Sequence, residues 1–182
     1  VENARRLLAG ELKGIAFRVD VPEDHRVGGN ANQLCQVMVN LIQNSAQALE
    51  GTTGTGIEPR ITVSSTLVGE DYVKVQVQDN GSGIAEEDLD HVFDPFFTKK
   101  EVGAGMGLGL SICHRILESH DGRIEVESDP GRSTVFSVFI PQPWQGLPDG
   151  EDLAGTVRGA PPEGPLDEAE ADTADLQQAW EK

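Results

Sequence analysis

Apolar positions along this chain change period several times, and each change marks an element. Residues 1–12 have helical character. From Ile15 to Val21 apolar and polar residues alternate, which predicts a strand that Pro22 stops. Between Asn32 and Leu49 the period lengthens: Leu34, Val37, Met38 and Leu41 recur at helical spacing, Ser45 falls in phase, and Ala48 or Leu49 closes the stripe. This predicts a long amphipathic helix. A Gly/Thr loop follows over 52–59, then two alternating runs, Ile61–Leu67 and Tyr72–Gln78, joined by the turn signal Val68-Gly69-Glu70-Asp71. The segment 107–119 is helical again. Arg123–Ser128 and Thr134–Ile140 form a last hairpin around Asp129-Pro130-Gly131. Residues 81–106 make a long connection punctuated by glycine, with at most a short helix near Glu86–His91. So long an irregular stretch inside a compact domain usually has a task, commonly as a lid.

After Pro141 the pattern fades. Residues 142–182 carry ten acidic residues against Arg158 and Lys182, with many Pro and Gly and few aliphatics. A segment of that kind buries too little apolar surface to offset its ordering entropy, so a disordered acidic tail is expected. Leu166, Ala169, Leu176 and Trp180 can line a short helix over 166–181, a docking segment if it forms and otherwise part of a solvated tail. The 182 residues thus suit one well-buried domain, 1–141, plus that tail. A formal net charge of −17 disfavours nucleic-acid phosphates and anionic lipid as partners. No apolar run is long enough to span a bilayer, and no signal peptide is recognisable, so a cytoplasmic setting is expected. Cys35 and Cys113, both inside predicted helices, read as small buried thiols in a reducing compartment.

Candidate chemistry is concentrated in four places. Asn40 and Asn44 stand one turn apart on the helix face opposite the apolar stripe. They are either a solvated polar face or a pair of neutral amide oxygens suited to a hard divalent cation such as Mg²⁺, whose other ligands come from phosphate and water. Asp79 ends a strand and enters the turn Asp79-Asn80-Gly81-Ser82-Gly83-Ile84. Its carboxylate can accept the exocyclic amine of adenine, and Gly83 lets a flat base approach the backbone. In Gly103-Ala104-Gly105-Met106-Gly107-Leu108-Gly109-Leu110 the glycines precede or begin a helix. Their amides can form an anion nest backed by the helix dipole, although glycine also permits close packing. The spacing matches neither a P-loop nor the Gly-x-Gly-x-x-Gly turn. Between these elements, Phe93, Phe96 and Phe97 crowd one loop beside Thr98, Lys99 and Lys100. The rings can pin a lid or join the core, and either lysine can reach a terminal phosphate.

Taken in this order, the segments resemble the catalytic ATP-binding domain of sensor histidine kinases, over about residues 1–141. Asn32–Leu49 resembles the N box, Asp79–Ile84 the G1 box, Phe93–Lys100 the F box and Gly103–Ser111 the G2 box, while Gly131–Phe136 resembles the final Gly/Thr motif. The Gln47-Ala48-Leu49 ending and the Phe96-Phe97-Thr98-Lys99-Lys100 run look most like the nitrogen-regulation type. The resemblance implies an α+β fold of the Bergerat type: a two-layer sandwich with helices on one face of a mixed, mostly antiparallel sheet, and a mobile ATP lid. It implies ATP and Mg²⁺ as ligands, with Asn40 and Asn44 at the metal and Lys100 beside them in catalysis. Carried over residue by residue, it adds Gln47, Gly81, Gly83, Ile84, Phe97, Thr98 and Lys99 to the nucleotide contacts, then Gly105, Met106, Gly107, Leu108, Gly109 and Leu110. Thr134 would support Asp79 through hydrogen bonding. Many members have a basic residue where Gln47 stands, which leaves Lys99 and Lys100 as the candidate phosphate-binding cations.

The same fold serves hydrolases that place a glutamate base one turn before the metal-binding Asn. Here that position is Asn40, and an amide cannot take a proton from water near neutral pH. Phosphotransfer to a histidine, itself a good nucleophile, is therefore favoured over hydrolysis. None of His25, His91, His114 and His120 sits in the His-Glu-x-x-Asn/Thr-Pro setting of a phosphorylated helix. The acceptor is expected on a helical dimerisation domain preceding Val1, with a response regulator downstream of it, and the chain by itself is expected to be a monomer. Two other functions remain open: a catalytically inactive nucleotide-binding regulatory module, and a protein serine kinase of the anti-sigma-factor type.

Overall fold

The computed structural model describes residues 1–50, 56, 58–99 and 106–143. The chain divides into two units, 1–145 and 146–182. The second unit, with the expected acidic tail and its 166–181 helix, lies outside the described residues, as do Lys100 and Gly105.

Five strands form one sheet in the order β1-β2-β3-β5-β4. They are β1 (Ala16–Asp20), β2 (Arg60–Val68), β3 (Tyr72–Asp79), β4 (Arg123–Asp129) and β5 (Ser133–Pro141). Only β1 and β2 run parallel; β2–β3, β3–β5 and β4–β5 are antiparallel. A mixed, mostly antiparallel sheet is what the resemblance implies, and it is what forms. Alternation places Ile61, Val63, Val73, Val75, Val77, Phe136, Val138 and Ile140 in the core. The opposite face carries Thr62, Lys74, Gln76 and Gln78, and there the Phe139 ring is covered by cations. The Arg123 guanidinium lies 3.7 Å above that ring and Lys74 Nζ 5.6 Å from its centroid.

Helices cover the apolar face: α1 (Glu2–Leu7), α2 (Ala31–Ala48), the short α3 (Glu86–Leu89) and α4 (Gly109–Glu118). Helix α2 begins at Asn30, whose side chain accepts from the amides of Asn32 and Gln33 and satisfies two orphan donors. The Asn30 amide in turn donates to His120 Nε2 at 3.0 Å, tying the start of α2 to the end of α4. The buried stripe of α2 is wider than a single-sided helix requires. Ile42 and Ala46 are buried beside Val37, Met38, Leu41 and Ser45, because α1 and α4 pack on α2 in addition to the sheet. Helix α3 ends earlier than the expected His91, its chain passing into turns in which His91 N donates to Asp88 O.

Candidate functional site

Strand β3 delivers Asp79 to the edge of the core, where it is 2% exposed. Its neighbours in register are Ile61 on β2 and Thr134 on β5. One carboxylate oxygen accepts from the Gly81 amide at 2.9 Å, the tight turn that an acid side chain two residues back can close. Burial raises the Asp79 pKa above its ordinary value, opposed by the Gly81 amide, the nearby Ser45 hydroxyl and the Thr134 amide. Thr134 thus reaches the acid through its backbone. Its hydroxyl lies 3.2 Å from Ser128 Oγ. Because Ser128 donates to Ser133 O at 2.9 Å, the Thr134 hydroxyl is the donor in that pair. Ser128 also accepts from Ile84 N at 2.8 Å, which fixes the far end of the Gly turn.

The turn itself is clasped from two sides. A Cβ on Gly81 would fall 2.6 Å from Ala48 O at the end of α2, and Ser82 N donates to the same oxygen at 3.1 Å. Gly83 has φ +69, and a Cβ there would fall 2.5 Å from Asp129 O, where Gly131 N donates to Ser82 O at 2.7 Å. Both glycines are therefore required by contact with α2 and with the β4–β5 turn. Asn80 points elsewhere, bonding the backbone at Arg60 and Glu58.

Ser45 sits on the last turns of α2 above Asp79. It is fully buried, and its Oγ has no partner at hydrogen-bonding geometry, although it lies close enough to the carboxylate to help keep it ionised. Leaving a buried hydroxyl so placed costs about 1–3 kcal/mol. The sequence signal for Ser45 was a hydroxyl in phase with an apolar stripe; Ser128 had no signal beyond a polar residue near a strand end.

Asn40 and Asn44 are half-buried on α2. Asn40 Nδ2 donates to Gly109 O at 3.2 Å and lies 3.6 Å from Cys113 Sγ, so the helix is bonded directly to the first turn of α4. No side chain caps α4 at Leu108. Cys113 is a buried thiol whose pKa burial pushes up to about 11. Gly107, at φ +65, packs so that a Cβ would fall 2.6 Å from both Phe96 C and Phe97 O. Phe96 N donates to Gly107 O at 3.0 Å, which joins the Phe-rich loop to the start of α4.

Phe93 packs against the core, 5.9 Å from the His114 ring, but Phe96 does not: it has φ +68 and is 71% exposed. The turn closed by Gly107 holds its side chain outward. Lys99 does not stand free for a phosphate. Its ammonium pairs with Asp88 at 2.5 Å and Glu87 at 3.8 Å, and the Asp88 bond raises its pKa. The reason is the acidic start of α3, which lies across from the lysine. Phe97 is half-buried 6.0 Å from His91, Thr98 is exposed, and Met106 is 77% exposed. Gln47, Leu108 and Leu110 are half-buried on α2 and at the start of α4. Asp79, Gly81, Gly83, Ile84 and Thr134 are thus gathered at one end of α2, and Asn40 meets Gly109 along its side.

This arrangement, a two-layer sandwich with a buried acid at a strand end and an Asn-bearing helix bonded to a Gly-rich helix start, defines a nucleotide-binding fold. Residues 29–143 match the family described as histidine kinase-, DNA gyrase B-, and HSP90-like ATPase, and the chain belongs to that family. It is 36% identical over 115 residues to sporulation kinase C of Bacillus subtilis, covering 63% of this chain and 25% of that protein. To the sensor histidine kinase ZraS of Salmonella typhi it is 39% identical over 116 residues, covering 64% of this chain and 23% of the relative. The chain therefore spans about a quarter of the length of these curated relatives. Among solved structures, the catalytic domain of histidine kinase ThkA superposes with a TM-score of 0.65 at 34% identity, covering 78% of this chain and 89% of that one. Among the described residues no helix is long and apolar enough to cross a membrane.

Proposed function

We propose that this chain is the catalytic domain of a sensor histidine kinase, binding ATP with Mg²⁺ and passing the γ-phosphate to a histidine on a separate helical domain. The observation that carries the choice of chemistry is Asn40. The residue one turn before Asn44 is an amide, and its Nδ2 is already committed to Gly109 O. It cannot act as the general base that water attack requires, whereas a histidine nucleophile brings its own lone pair.

In this reading Asp79 accepts the exocyclic amine of adenine while Gly81 and Gly83 admit the base to the backbone. Asn44 would hold Mg²⁺ through its neutral amide oxygen, and Asn40 aligns the start of α4. When bound, the ion neutralises charge developing on the phosphates. The amides at Gly107–Gly109 face the phosphates from the uncapped start of α4. The acceptor imidazole nitrogen forms a bond to phosphorus as the bond to the bridging oxygen breaks, and ADP leaves.

The partners that follow are the phospho-accepting helices and, through them, a response regulator. Mixing this domain with such helices and γ-labelled ATP should give an acid-labile, base-stable phosphoprotein. An acid-stable product, or nucleotide binding without transfer, would overturn the reading.

A further inference from the structure

Ser45 is the observation that the motif-based site leaves unexplained. It occupies a stripe position of α2, is 0% exposed, and points a hydroxyl without a partner towards a carboxylate that is itself 2% exposed. A core position facing strands normally holds an apolar side chain, and a buried hydroxyl is tolerated where it serves a bond made in another state. Its surroundings are fixed. Ala48, one turn on, accepts from Ser82, so α2 cannot slide over the Asp79 turn. Thr134 directs its hydroxyl to Ser128 and is not free to play the same part.

We propose that Ser45 is a positioning residue for base specificity: with a purine seated, its hydroxyl donates to Asp79 and keeps that carboxylate an acceptor, selecting a 6-aminopurine over a 6-oxopurine. This rests on the nucleotide reading above and deepens it. The chemistry is one of complementary edges. A 6-amino group donates and needs an acceptor, which the ionised acid provides. A 6-oxo group accepts, and only a protonated acid could donate to it. Two backbone donors already serve Asp79, Gly81 from its own turn and Thr134 from β5, and the unpartnered Ser45 hydroxyl of α2 lies near them. Among the described residues no charged group shares that duty. Arg60, on the adjacent strand, lies on the other face of the sheet and pairs with Glu58 at 3.9 Å, and Asp129 pairs with Arg132 at 3.2 Å in the exposed β4–β5 turn. A neutral hydroxyl therefore supplies what a cation supplies elsewhere, without adding charge to the interior.

The test compares ATP with inosine triphosphate by calorimetry, on the whole chain, in wild type and Ser45→Ala, between weakly acidic and neutral pH. The expected result for Ser45→Ala is ATP affinity lower by about fivefold, a narrower preference for ATP over the inosine nucleotide, and loss of ATP binding beginning at higher pH. The melting temperature without nucleotide should stay level or rise, since an unpartnered buried hydroxyl has gone. Ser45→Cys, which keeps the volume but donates poorly, should follow Ser45→Ala and serves if the alanine variant fails to fold. An unchanged preference and pH profile in either variant overturns the proposal, as does a fall in melting temperature with no change in preference. Failure of wild type to bind ATP, or wild-type binding by Asp79→Ala, overturns the nucleotide reading itself and is distinguished in this way.

Discussion

At one end of the candidate site Asp79, Thr134 and Ser45 are buried on β3, β5 and α2; at the other, Lys99 and Phe96 stand on an exposed loop. The two regions are built by different physics. A buried carboxylate is costly to desolvate, so its hydrogen bonds come from backbone that the surrounding elements hold in place. An exposed lysine keeps its hydration and exchanges partners at small cost. The buried end can therefore set what is bound, while the exposed end can rearrange around it.

The largest effect is expected of Asp79→Ala. It should lower ATP affinity by about 100-fold in calorimetry, the scale of a lost hydrogen bond to a charged group, while the fold persists. Binding close to wild type would move base recognition elsewhere. Gly83→Ala comes next. At φ +69 and with Asp129 O only 2.5 Å from the new Cβ, it should lower stability by about 1–3 kcal/mol, seen as an earlier urea midpoint. Asn44→Ala should cost about tenfold in ATP affinity with Mg²⁺ present and little when the ion is chelated. An equal loss in both conditions would remove Asn44 from the metal.

A pH experiment sharpens the buried end further. Burial holds the Asp79 pKa above its ordinary 3.8, so the native state binds that proton more tightly than the unfolded chain. The contribution favours folding in acid and is lost as pH rises through the native pKa. Asp79→Asn, which cannot ionise, should therefore raise the melting temperature of the nucleotide-free protein at neutral pH. The difference should close as acid protonates the wild-type carboxyl. Smallest of all, Lys99→Ala should change ATP affinity less than any of these, because its ammonium is held by Asp88 and Glu87. A loss as large as that of Asn44→Ala would show that the lysine leaves those acids when nucleotide binds.

How far the chain could be interpreted before its structure follows the same division. Strands β2, β3, β4 and β5 and helix α2 were legible because one-sided burial stamps a period on sequence. The turn from Asp79 to Gly83 was legible because a short acid followed by two glycines at a strand end is a turn signal. The wider burial of α2, with Ile42 and Ala46 inside, was not, since a single helix does not reveal how many neighbours will cover it. Nor was the exposure of Phe96 or the pairing of Lys99 with Asp88. Loops carry no period, and these outcomes depend on a turn closed by Gly107 and on acids eleven and twelve residues away. The hydroxyl of Thr134 illustrates a finer limit: its position beside Asp79 was readable, its choice of Ser128 was not.

The grip on the Asp79 turn by Ala48 from one direction and by Asp129 and Gly131 from the other has a consequence for how the molecule acquires its ligand. These residues are far apart along the polypeptide, so no partially folded species with α2 or the last hairpin undocked can present the finished candidate site. Nucleotide must then select the fully assembled molecule, and its binding energy is transmitted to the whole cooperative unit by mass action. Saturating ATP should slow hydrogen exchange in the distant centre of the sheet as well as in the turn that touches it.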